Sequence, residues 1–409
     1  MKILQIAPQI PYPVNDGGRI SIFGITKYLS LRGHDIDFVA YRKNVDSQKA
    51  TAALLDFCTP IFLEVKTDNS ILGAVSNLFS STPYNISKFI RKEMKSFLLD
   101  YLSKSRPDII HVDHLHMAWV IEIIRGLNPD IPVVLREHNF ETSIMKRYSE
   151  NQKNIFLSFY ARIQYHKLKK YESSICEKFD LCIMISSEDE KKLVNLNKKI
   201  KTAVIPAGVD VNLFAAPKNE SKIKNSICHV GPLSWYPNLD GLQWFVDSVL
   251  PGLLKKAPGI KLFVFGSHTK LLSVPESLVE SIEILGYVED LWEHLSKMEL
   301  AIVPLRIGGG IRIKVLEMMA FGINIISTPV GTEGIPVVNE KHFLITETES
   351  GFAEKIADFF NGKYNASLMK SESRKIILEN FTWEIVSEKF EISYQKIINI
   401  YQKDKIGFN

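Results

Sequence analysis

The chain has 409 residues, which is too long for one ordinary hydrophobic core and indicates two domains of about 150 to 200 residues. Its 50 basic and 46 acidic residues leave a formal net charge of +4, too small to indicate a nucleic-acid-binding protein. Hydrophobic residues make up 45%, as in ordinary globular proteins, and no apolar run reaches the ~18 residues of a membrane-spanning helix. We therefore expect a folded cytoplasmic protein without a nucleic-acid partner.

Apolar runs of strand length recur along the chain, and longer segments with helical periodicity separate most of them. The runs include KILQIAP, IDFVAY, PDIIHVDH, PVVLREHN, DLCIMIS, TAVIPAG, SICHVG, KLFVFGS, IEILGYV, LAIVPL and NIISTPV. Continuous apolar strands that alternate with helices are typical of parallel sheets covered on both faces. The pattern predicts an α/β fold with doubly wound sheets.

The alternation pauses at PAGVDVNLFAAPKNESKIKN, which combines Pro, Gly, Asn and charged residues as hinges between lobes do. It predicts two Rossmann-like lobes that face each other across a cleft, over residues 1–206 and 207–380. Residues 381–409 form a final helix with one apolar face, which we expect to pack back across the lobes. The apolar face comprises Trp383, Val386, Phe390 and Tyr394.

Two loops of the first lobe carry residues suited to a ligand, because ligands of open parallel sheets bind at the carboxyl ends of strands. Gly17 and Gly18 lie between the first strand and the first helix. Glycines there let the backbone approach a phosphate or a sugar hydroxyl, or they ease an ordinary turn. His138 follows the strand PVVL within REHNFET, a polar cluster with Arg136 and Glu137. It either serves a ligand, caps the next helix or bonds a neighbouring carboxylate.

Residues 145–175 interleave Lys and Arg with Phe, Tyr, Ile and Leu on predicted helices. Such a face lies on an anionic membrane surface in some proteins. In others it is the solvated side of an amphipathic helix that packs on its own lobe. Both interpretations stay open.

In the second lobe, the segment GGGIRIKVLEMMAFG follows the strand LAIVPL. Gly308, Gly309 and Gly310 allow backbone amides to approach an anion, and the helix that follows directs its positive end to the same place. Arg312 and Lys314, in the first turn of that helix, oppose its dipole and cost stability unless an anion lies nearby. The segment predicts a site for a charged ligand.

Two glutamates extend this prediction. Glu317 lies three residues after Lys314, near enough to pair with it or to reach a ribose diol. Glu333 lies in TPVGTEGI, where it accepts the hydrogen bonds of sugar hydroxyls or caps a helix. In GPLSWYPNLDGL, Asn238 or Asp240 is predicted to cap the next helix.

No group of residues favours a bound metal ion. The acids of DID at 35–37 alternate within a strand, and His111, His114 and His116 are expected to face solvent around a strand end. The four cysteines form no Cys-x-x-Cys pair and are expected to be reduced core residues. We expect neither a metal nor a cofactor.

These loops, in this order, resemble those of the retaining glycosyltransferases of family 4, which have the two-lobed GT-B fold. The Gly-Gly loop, the histidine after a mid-lobe strand, VIPAGVD and LEMMAFGINIISTPVGTEGI carry the resemblance over nearly the whole chain. The first of two family glutamates falls on Gly309, and the usual Arg and Lys of the first C-lobe loop fall on Pro232 and Pro237. The chain is similar to the subset with a Gly-rich, Arg/Lys-bearing donor loop.

The resemblance implies an enzyme that transfers a sugar from a nucleotide-diphosphate sugar to a glycan or lipid-linked acceptor. Transfer would retain the anomeric configuration and need no metal. The first lobe would take the acceptor and the second the nucleotide sugar. The usual role of such enzymes, polysaccharide or lipopolysaccharide synthesis for the cell envelope, implies a cytoplasmic protein that is peripheral on the inner membrane face if residues 145–175 bind lipid.

Two other functions remain open. One is a sugar-nucleotide 2-epimerase of the same fold, and the other is a non-catalytic protein that binds a nucleotide sugar. The non-catalytic interpretation depends on Gly309, which stands where the family has a glutamate.

The resemblance also implies roles for individual residues. Glu317 would bind the ribose hydroxyls. Arg312, Lys314 and the amides of Gly309 and Gly310 would hold the pyrophosphate, with Lys314 also serving catalysis.

Further residues would contact the sugar and the base. His138 and Glu333 would contact the transferred sugar as catalytic residues. Gly17 and Gly18 would touch the donor phosphate or sugar, and Tyr287 in GYVEDL would border the base.

Overall fold

The computed structural model describes residues 1–14, 16–42, 47–152, 154–214, 221–308 and 310–406. Two compact units divide the chain. Unit 1 contains Met1–Gly208 together with Trp383–Asn409, and unit 2 contains Val209–Thr382. Each unit has one parallel sheet with helices, so the expected α/β class with two Rossmann-like sheets is confirmed.

The sheet of unit 1 has seven parallel strands in the order β3-β2-β1-β4-β5-β6-β7. The strands are β1 Lys2–Ala7, β2 Asp35–Arg42, β3 Thr59–Glu64, β4 Ile109–Asp113, β5 Val133–Glu137, β6 Leu181–Met184 and β7 Thr202–Val204. The helices are α1 Gly17–Leu31, α2 Ser47–Leu54, α3 Ile71–Ser76, α4 Tyr84–Ser87, α5 Lys92–Lys104, α6 Val120–Leu127, α7 Glu141–Asn151, α8 Ile155–Ile175 and α9 Ser187–Leu196.

Side chains of successive residues in these strands enter opposite faces of the sheet, and both faces are buried. On β1, Leu4 and Ile6 belong to one apolar cluster while Ile3 and Ala7 belong to the other. A strand buried on both faces must be apolar at every position, which explains the unbroken runs in the sequence.

The final helix of the chain packs in the second of these clusters. This helix, α16 in the order of the chain, spans Trp383–Ile406 and belongs to unit 1. A Cβ on Gly24 of α1 would lie 2.0 Å from the Trp383 ring, so only glycine admits the tryptophan there. The predicted apolar face is confirmed, because all four of its residues are buried: Trp383, Val386, Phe390 and Tyr394.

The sheet of unit 2 has six parallel strands in the order β10-β9-β8-β11-β12-β13. The strands are β8 Ser226–Val230, β9 Lys261–Phe265, β10 Ile282–Gly286, β11 Leu300–Val303, β12 Asn324–Ser327 and β13 Leu344–Ile345. The helices are α10 Tyr236–Trp244, α11 Leu250–Lys256, α12 Leu291–Ser296, α13 Ile313–Phe321, α14 Glu349–Phe360 and α15 Ala366–Asn380. None of the helices within the described residues is long and apolar enough to cross a membrane.

Strand order reverses once in each sheet. In unit 1 the reversal lies between β1 and β4, and in unit 2 it lies between β8 and β11. Loops that leave the carboxyl ends of such a strand pair run to opposite faces and open a crevice where ligands bind. The fold therefore selects the loops after these four strands as candidate sites.

Candidate active site

In unit 1 the loop after β1 lies against two stacked histidines. A Cβ on Gly18 would lie 3.8 Å from Nε2 of His114, which immediately follows β4. The His114 ring stacks on the ring of His138, with centroids 3.7 Å apart and planes 16° from parallel. Two of the predicted loops, with Gly18 and His138, therefore converge at the strand-order reversal.

Asp113, the last residue of β4, organises the polar side chains beneath these rings. It is fully buried, and His138 Nε2 lies 3.2 Å from its Oδ1 atom. His111 Nε2 also lies 3.2 Å from Oδ1, and Gln5 donates to Oδ2 at 2.7 Å. The guanidinium of Arg136 lies 3.9 Å away and supplies a counter-charge.

Burial and charge set the protonation of this cluster. Burial alone would raise the pKa of Asp113, but His111 and His138 beside it hold the pKa well below its usual range. Burial lowers the pKa of His138, although its hydrogen bond to Asp113 opposes this. A neutral His138 donates its Nε2 proton to the carboxylate, so its Nδ1 atom is left as a hydrogen-bond acceptor.

The adjoining histidines are also kept neutral. Burial lowers the pKa of His114 well below its usual value, and His138 and His116 add to the effect. Burial, and then the charge of Lys88, lower the pKa of His116 to about 4. Among the described residues, Nε2 of His114 is buried without a hydrogen-bond partner, and it faces Gly18. This edge of the sheet thus offers neutral imidazoles to a ligand.

A cavity of about 320 Å³ opens beside the stacked histidines. His114 and His116 line one side, and Tyr41 and the cations Arg19 and Lys88 line others. The cavity is large enough for about one sugar ring with a substituent.

Several polar residues that the sequence places at the site or in solvent are buried instead. Arg136 and Glu137 are fully buried within β5, so neither is exposed to a ligand, and Arg136 acts only as the counter-charge of Asp113. The expectation that His111 faces solvent is wrong, because it sits inside β4 at 1% exposure and contacts the hydroxyl of Tyr394.

Gly17 is exposed at the start of α1, whose N-cap is Asp16. The Asp16 carboxylate already accepts the backbone N–H of Arg19 at 2.9 Å and pairs with the Arg19 side chain at 3.4 Å. A negative charge at this helix start favours a neutral hydroxyl over a phosphate as the ligand group.

In unit 2 the loops after β8, β11 and β12 meet at one edge of the sheet. These strands are neighbours, with Cα partners such as Ala301 and Cys228, and Val303 and Ser327. The hydroxyl of Thr328 donates to the carbonyl of Leu305, which ties the loop after β12 to the loop after β11. The carboxyl ends therefore bring the Gly-rich segment and the Glu333 loop together.

Lys314 links the Gly-rich segment to the loop after β8. Its ammonium donates to the carbonyl of Val230 and to Oδ1 of Asn238, both at 2.8 Å. Gly231 lies directly beside it with φ +142°, and a Cβ there would lie 2.5 Å from Asn238 and 3.1 Å from Lys314 Nζ. Glycine is required at residue 231 for both reasons.

The charge of Lys314 is not neutralised by these contacts, because both partners are neutral oxygens. Among the described residues no carboxylate pairs with it, and it lies in the first turn of α13, where the helix dipole is positive. Burial, and then the charge of Arg312, lower the pKa of Lys314 to about 7. An anion at this edge would relieve the repulsion.

Arg312 is the N-cap residue of α13, one position before the first turn in which we expected it. Its side chain is buried and turns back to donate to the carbonyl of Gly310. Gly308 and Gly310 have φ angles of +149° and +72°, and a Cβ on Gly308 would collide with the guanidinium at 2.4 Å. Gly309 lies outside the described residues.

Glu317 follows one turn after the start of α13. It forms no ion pair with Lys314, whose ammonium points to Val230 and Asn238 instead. Burial raises the pKa of Glu317 to about 7. The ion pair with Lys314 is therefore absent between these two residues, and the contact of Glu317 with a ribose diol stays a prediction.

Glu333 and Tyr287 differ in their exposure to solvent and in the part of unit 2 where they lie. Glu333 is half-buried and follows a short 3-10 helix, Val330–Thr332, so it caps no helix N-terminus. Tyr287 is exposed after β10, which is the outermost strand of the sheet. No hydrogen bond or ring contact between described residues joins Tyr287 to Lys314 or to its partner Asn238.

The roles of Asn238 and Asp113 are not predicted by the sequence. The prediction that Asn238 or Asp240 caps α10 is wrong, because the helix begins at Tyr236 and both residues lie inside it. Asn238 instead holds Lys314, and Asp240 pairs with Arg306 at 2.6 Å. Asp113 ends an apolar strand, where its position just before His114 was the only signal. Among the described residues, no group of three or more His, Cys, Asp or Glu is arranged to hold a metal ion.

Comparison with known families gives two matches that correspond to the two units. Residues 15–213 match the family described as Glycosyltransferase Family 4. Residues 224–361 match the family described as Glycosyl transferases group 1.

One relative from Klebsiella pneumoniae is 25% identical over 395 residues, which span 93% of this chain and 96% of the relative. It is described as an uncharacterized 44.6 kDa protein in the cps region.

Solved structures share the fold of the whole chain. Sucrose-phosphate synthase from Thermosynechococcus elongatus superposes with a TM-score of 0.74 at 17% identity, over 98% of this chain and all of that one. A glycosyltransferase from Rickettsia africae gives 0.67 at 19% identity, over 97% and 98% of the two chains. The Anabaena protein HepE in complex with UDP and glucose gives 0.66 at 14% identity, over 97% and 100%.

Proposed function

We propose that the chain is a glycosyltransferase of the GT-B type, in which the Family 4 match of residues 15–213 and the group 1 match of residues 224–361 form one enzyme that uses a nucleotide-diphosphate sugar as donor. The sugar passes to a glycan or a lipid-linked acceptor with retention of configuration. The transferase needs no metal, and its product contributes to a cell-envelope polysaccharide or lipopolysaccharide.

The charge of Lys314, which no carboxylate among the described residues neutralises, is the main support for a nucleotide-diphosphate donor. An ammonium held by two neutral oxygens, at the positive end of α13 and beside glycines with positive φ, is suited to a pyrophosphate. Arg312, the N-cap residue of α13, lies two positions before Lys314 and strengthens the positive field. Glu317 then accepts the hydrogen bonds of the ribose hydroxyls, and Glu333 addresses the sugar from the neighbouring loop.

The reaction depends on charge that builds on the leaving phosphate. The bond between the anomeric carbon and the phosphate oxygen breaks while the acceptor hydroxyl forms its new bond on the same face of the sugar. The departing phosphate takes the proton of that hydroxyl, so no opposing pair of carboxylates is required. Lys314, Arg312 and the amides of the glycine segment stabilise the developing anion in place of a metal.

Unit 1 takes the acceptor in this proposal. The cavity beside His114 and His116 supplies the room, and the neutral His138 accepts a hydrogen bond from a sugar hydroxyl through Nδ1. The helix start at Gly17 and Gly18 suits a second hydroxyl, because Asp16 already supplies negative charge there.

Substitution of Lys314 tests the donor assignment. We expect Lys314→Ala to lower kcat about 100-fold or more while the melting temperature changes little, because removing a buried cation also removes its desolvation cost. Lys255→Ala, at the exposed end of α11, is the control. Unchanged transfer in Lys314→Ala would remove the pyrophosphate from this site.

Donor and product are identified in two steps. A thermal-shift screen comes first, and UDP-sugars lead it because a solved structure of this fold holds UDP and glucose. Incubation of the best donor without acceptor follows. Release of nucleotide diphosphate supports a transferase, an isomerised nucleotide sugar supports a 2-epimerase, and binding without turnover even with acceptors supports the non-catalytic protein. NMR of the glycosidic product decides retention.

We place the working protein in the cytoplasm, at the inner face of the cell membrane. The Klebsiella pneumoniae relative, which is described by its place in the cps region, supports this position. A lipid-linked acceptor fits this position.

A further inference from the structure

Unit 1 exposes two short apolar segments that a protein in water normally buries. In α3 and the turn after it, Ile71 and Leu72 are 85% and 83% exposed and Phe79 is 92% exposed. At the start of α8, Ile155 and Phe156 are 82% and 86% exposed, and Phe159 is also exposed. Large apolar side chains scattered singly are ordinary, but clusters of them mark a binding surface.

The first segment is fixed to α8, the helix that carries the second segment. Gln164 of α8 donates to the Asn77 side chain at 3.1 Å, and Lys167 donates to the carbonyls of Asn77 and Leu78 at 2.6 and 3.2 Å. Phe159 precedes Lys167 by eight residues, or about 12 Å along a helix. We call the exposed apolar residues of 71–79 and 155–159 together the apolar patch.

Positive charge continues the patch along α8. Three exposed cations follow Phe159, namely Arg162, Lys169 and Lys170, and with the exposed His166 their spacings keep one face of the helix. The only acidic residue of α8 is Glu172, which is buried. Residues 69–92 contain three Lys or Arg and no acid. Apolar side chains followed by cations on one helix face are typical of proteins that lie in an anionic lipid interface.

The patch is also joined to the cavity of unit 1. The chain leaves the cavity wall at Thr67, forms the first apolar segment, and returns to the wall at Lys88 and Phe89. Tyr84 fastens the base of this excursion through hydrogen bonds with both backbone groups of Ser70, at 2.6 and 3.0 Å. The first apolar segment is therefore tethered at both ends to the wall of the cavity.

We propose that the apolar patch and the cationic face of α8 dock unit 1 onto an anionic lipid bilayer. The apolar side chains enter the interface between headgroups and acyl chains, while the cations contact lipid phosphates. This surface goes beyond the proposed transferase activity, because docking depends on neither the donor nor the sugar. Where the acceptor is lipid-linked, docking brings its headgroup to the cavity.

Vesicle binding by the full chain tests the proposal. We expect sedimentation with vesicles of phosphatidylglycerol and phosphatidylcholine, and at least tenfold weaker binding to phosphatidylcholine alone. The double variant Phe156→Ser and Phe159→Ser should weaken binding to the anionic vesicles at least tenfold. The double variant Lys169→Gln and Lys170→Gln should weaken binding to the anionic vesicles more in low salt than in high salt. Salt screens the attraction between the lysines and the lipid phosphates, so little of it is left to lose in high salt.

Matched controls separate docking from folding and from catalysis. Leu31→Ser with Ile400→Ser removes two other exposed apolar side chains of unit 1 and should leave vesicle binding unchanged. Melting temperature and nucleotide-sugar binding should be the same in all variants, so a failed donor assignment leaves the vesicle result interpretable.

Two results would overturn the proposal. One is wild-type binding to anionic vesicles that equals binding to neutral vesicles. The other is a concentration-dependent dimer, seen by light scattering, that the Phe156 and Phe159 substitutions abolish without any vesicle binding, because the patch would then serve a second copy of the chain.

Discussion

Lys314 makes donor binding depend on pH in a direction that its environment determines. Burial lowers the pKa of Lys314 to about 7, and a pyrophosphate beside it would raise the pKa. Above pH 7 the free lysine is largely neutral and the bound lysine is charged, so binding takes up a proton. We expect affinity for the nucleotide sugar to fall up to about tenfold per pH unit above pH 7.

Isothermal titration calorimetry at pH 8, in two buffers of different ionisation enthalpy, measures this uptake directly. It should approach one proton per donor and vanish in Lys314→Gln. Burial raises the pKa of Glu317 to about 7, so this residue is mostly ionised at pH 8 in either state and contributes little. Equal uptake by wild type and Lys314→Gln would assign the proton to another group.

The helical hairpin of α7 and α8 depends on one buried carboxylate. Phe140, the N-cap residue of α7, offers no side-chain cap, and Glu172 from α8 takes over this task. It accepts the backbone N–H groups of Glu141 and Thr142 at 3.0 and 2.9 Å and also the Thr142 hydroxyl. We expect Glu172→Ala to lower the free energy of unfolding by about 2 to 4 kcal/mol. Urea denaturation measures it, with the exposed Glu150→Ala as the near-neutral control.

The same hairpin predicts how stability varies with pH. Burial, and then Glu172, raise the pKa of Glu141 to about 8. An unfolded glutamate has a pKa of about 4.3, so between these values the native state holds more protons than the unfolded state. This contribution is fully present below about pH 4.3 and is lost as pH rises through 8. Unfolding free energies across this window should fall less steeply in Glu141→Gln, and parallel curves would contradict the assignment.

On the scale of the whole molecule, unit 1 relies on a helix that the chain supplies only after unit 2. Trp383 is buried against Gly24 and Gly208, both of which would collide with its ring if they carried a Cβ. We expect Trp383→Ala to destabilise unit 1 by about 3 to 5 kcal/mol. Hydrogen exchange should then speed up in β1, β2 and α1 and stay unchanged in β8 and β11. Ile400→Ala, on the exposed side of α16, is the control.

The sequence predicts the architecture well. A strand buried on both faces has to be apolar throughout, so it can be recognised as an unbroken apolar run. It also predicts that Lys314 and His138 lie at strand ends. It does not predict their partners: Asn238 has the local pattern of a helix cap, and Asp113 lies in an apolar run. Both residues contact partners on neighbouring strands that are far apart in the sequence. These strands pair only when the chain between them has folded, and the local periodicity of the sequence does not show which strands pair.

The position of α16 in the chain has a consequence during synthesis. Residues 1–208 leave the ribosome first, yet their apolar cluster stays open over Gly24 until residues 383–406 have been translated. Unit 2 is continuous in sequence and can close its own core earlier. At about 5 to 20 residues per second, unit 1 waits roughly ten seconds or more with this surface exposed. We expect the nascent chain to bind a ribosome-associated chaperone in that interval, because chaperones bind exposed apolar surface.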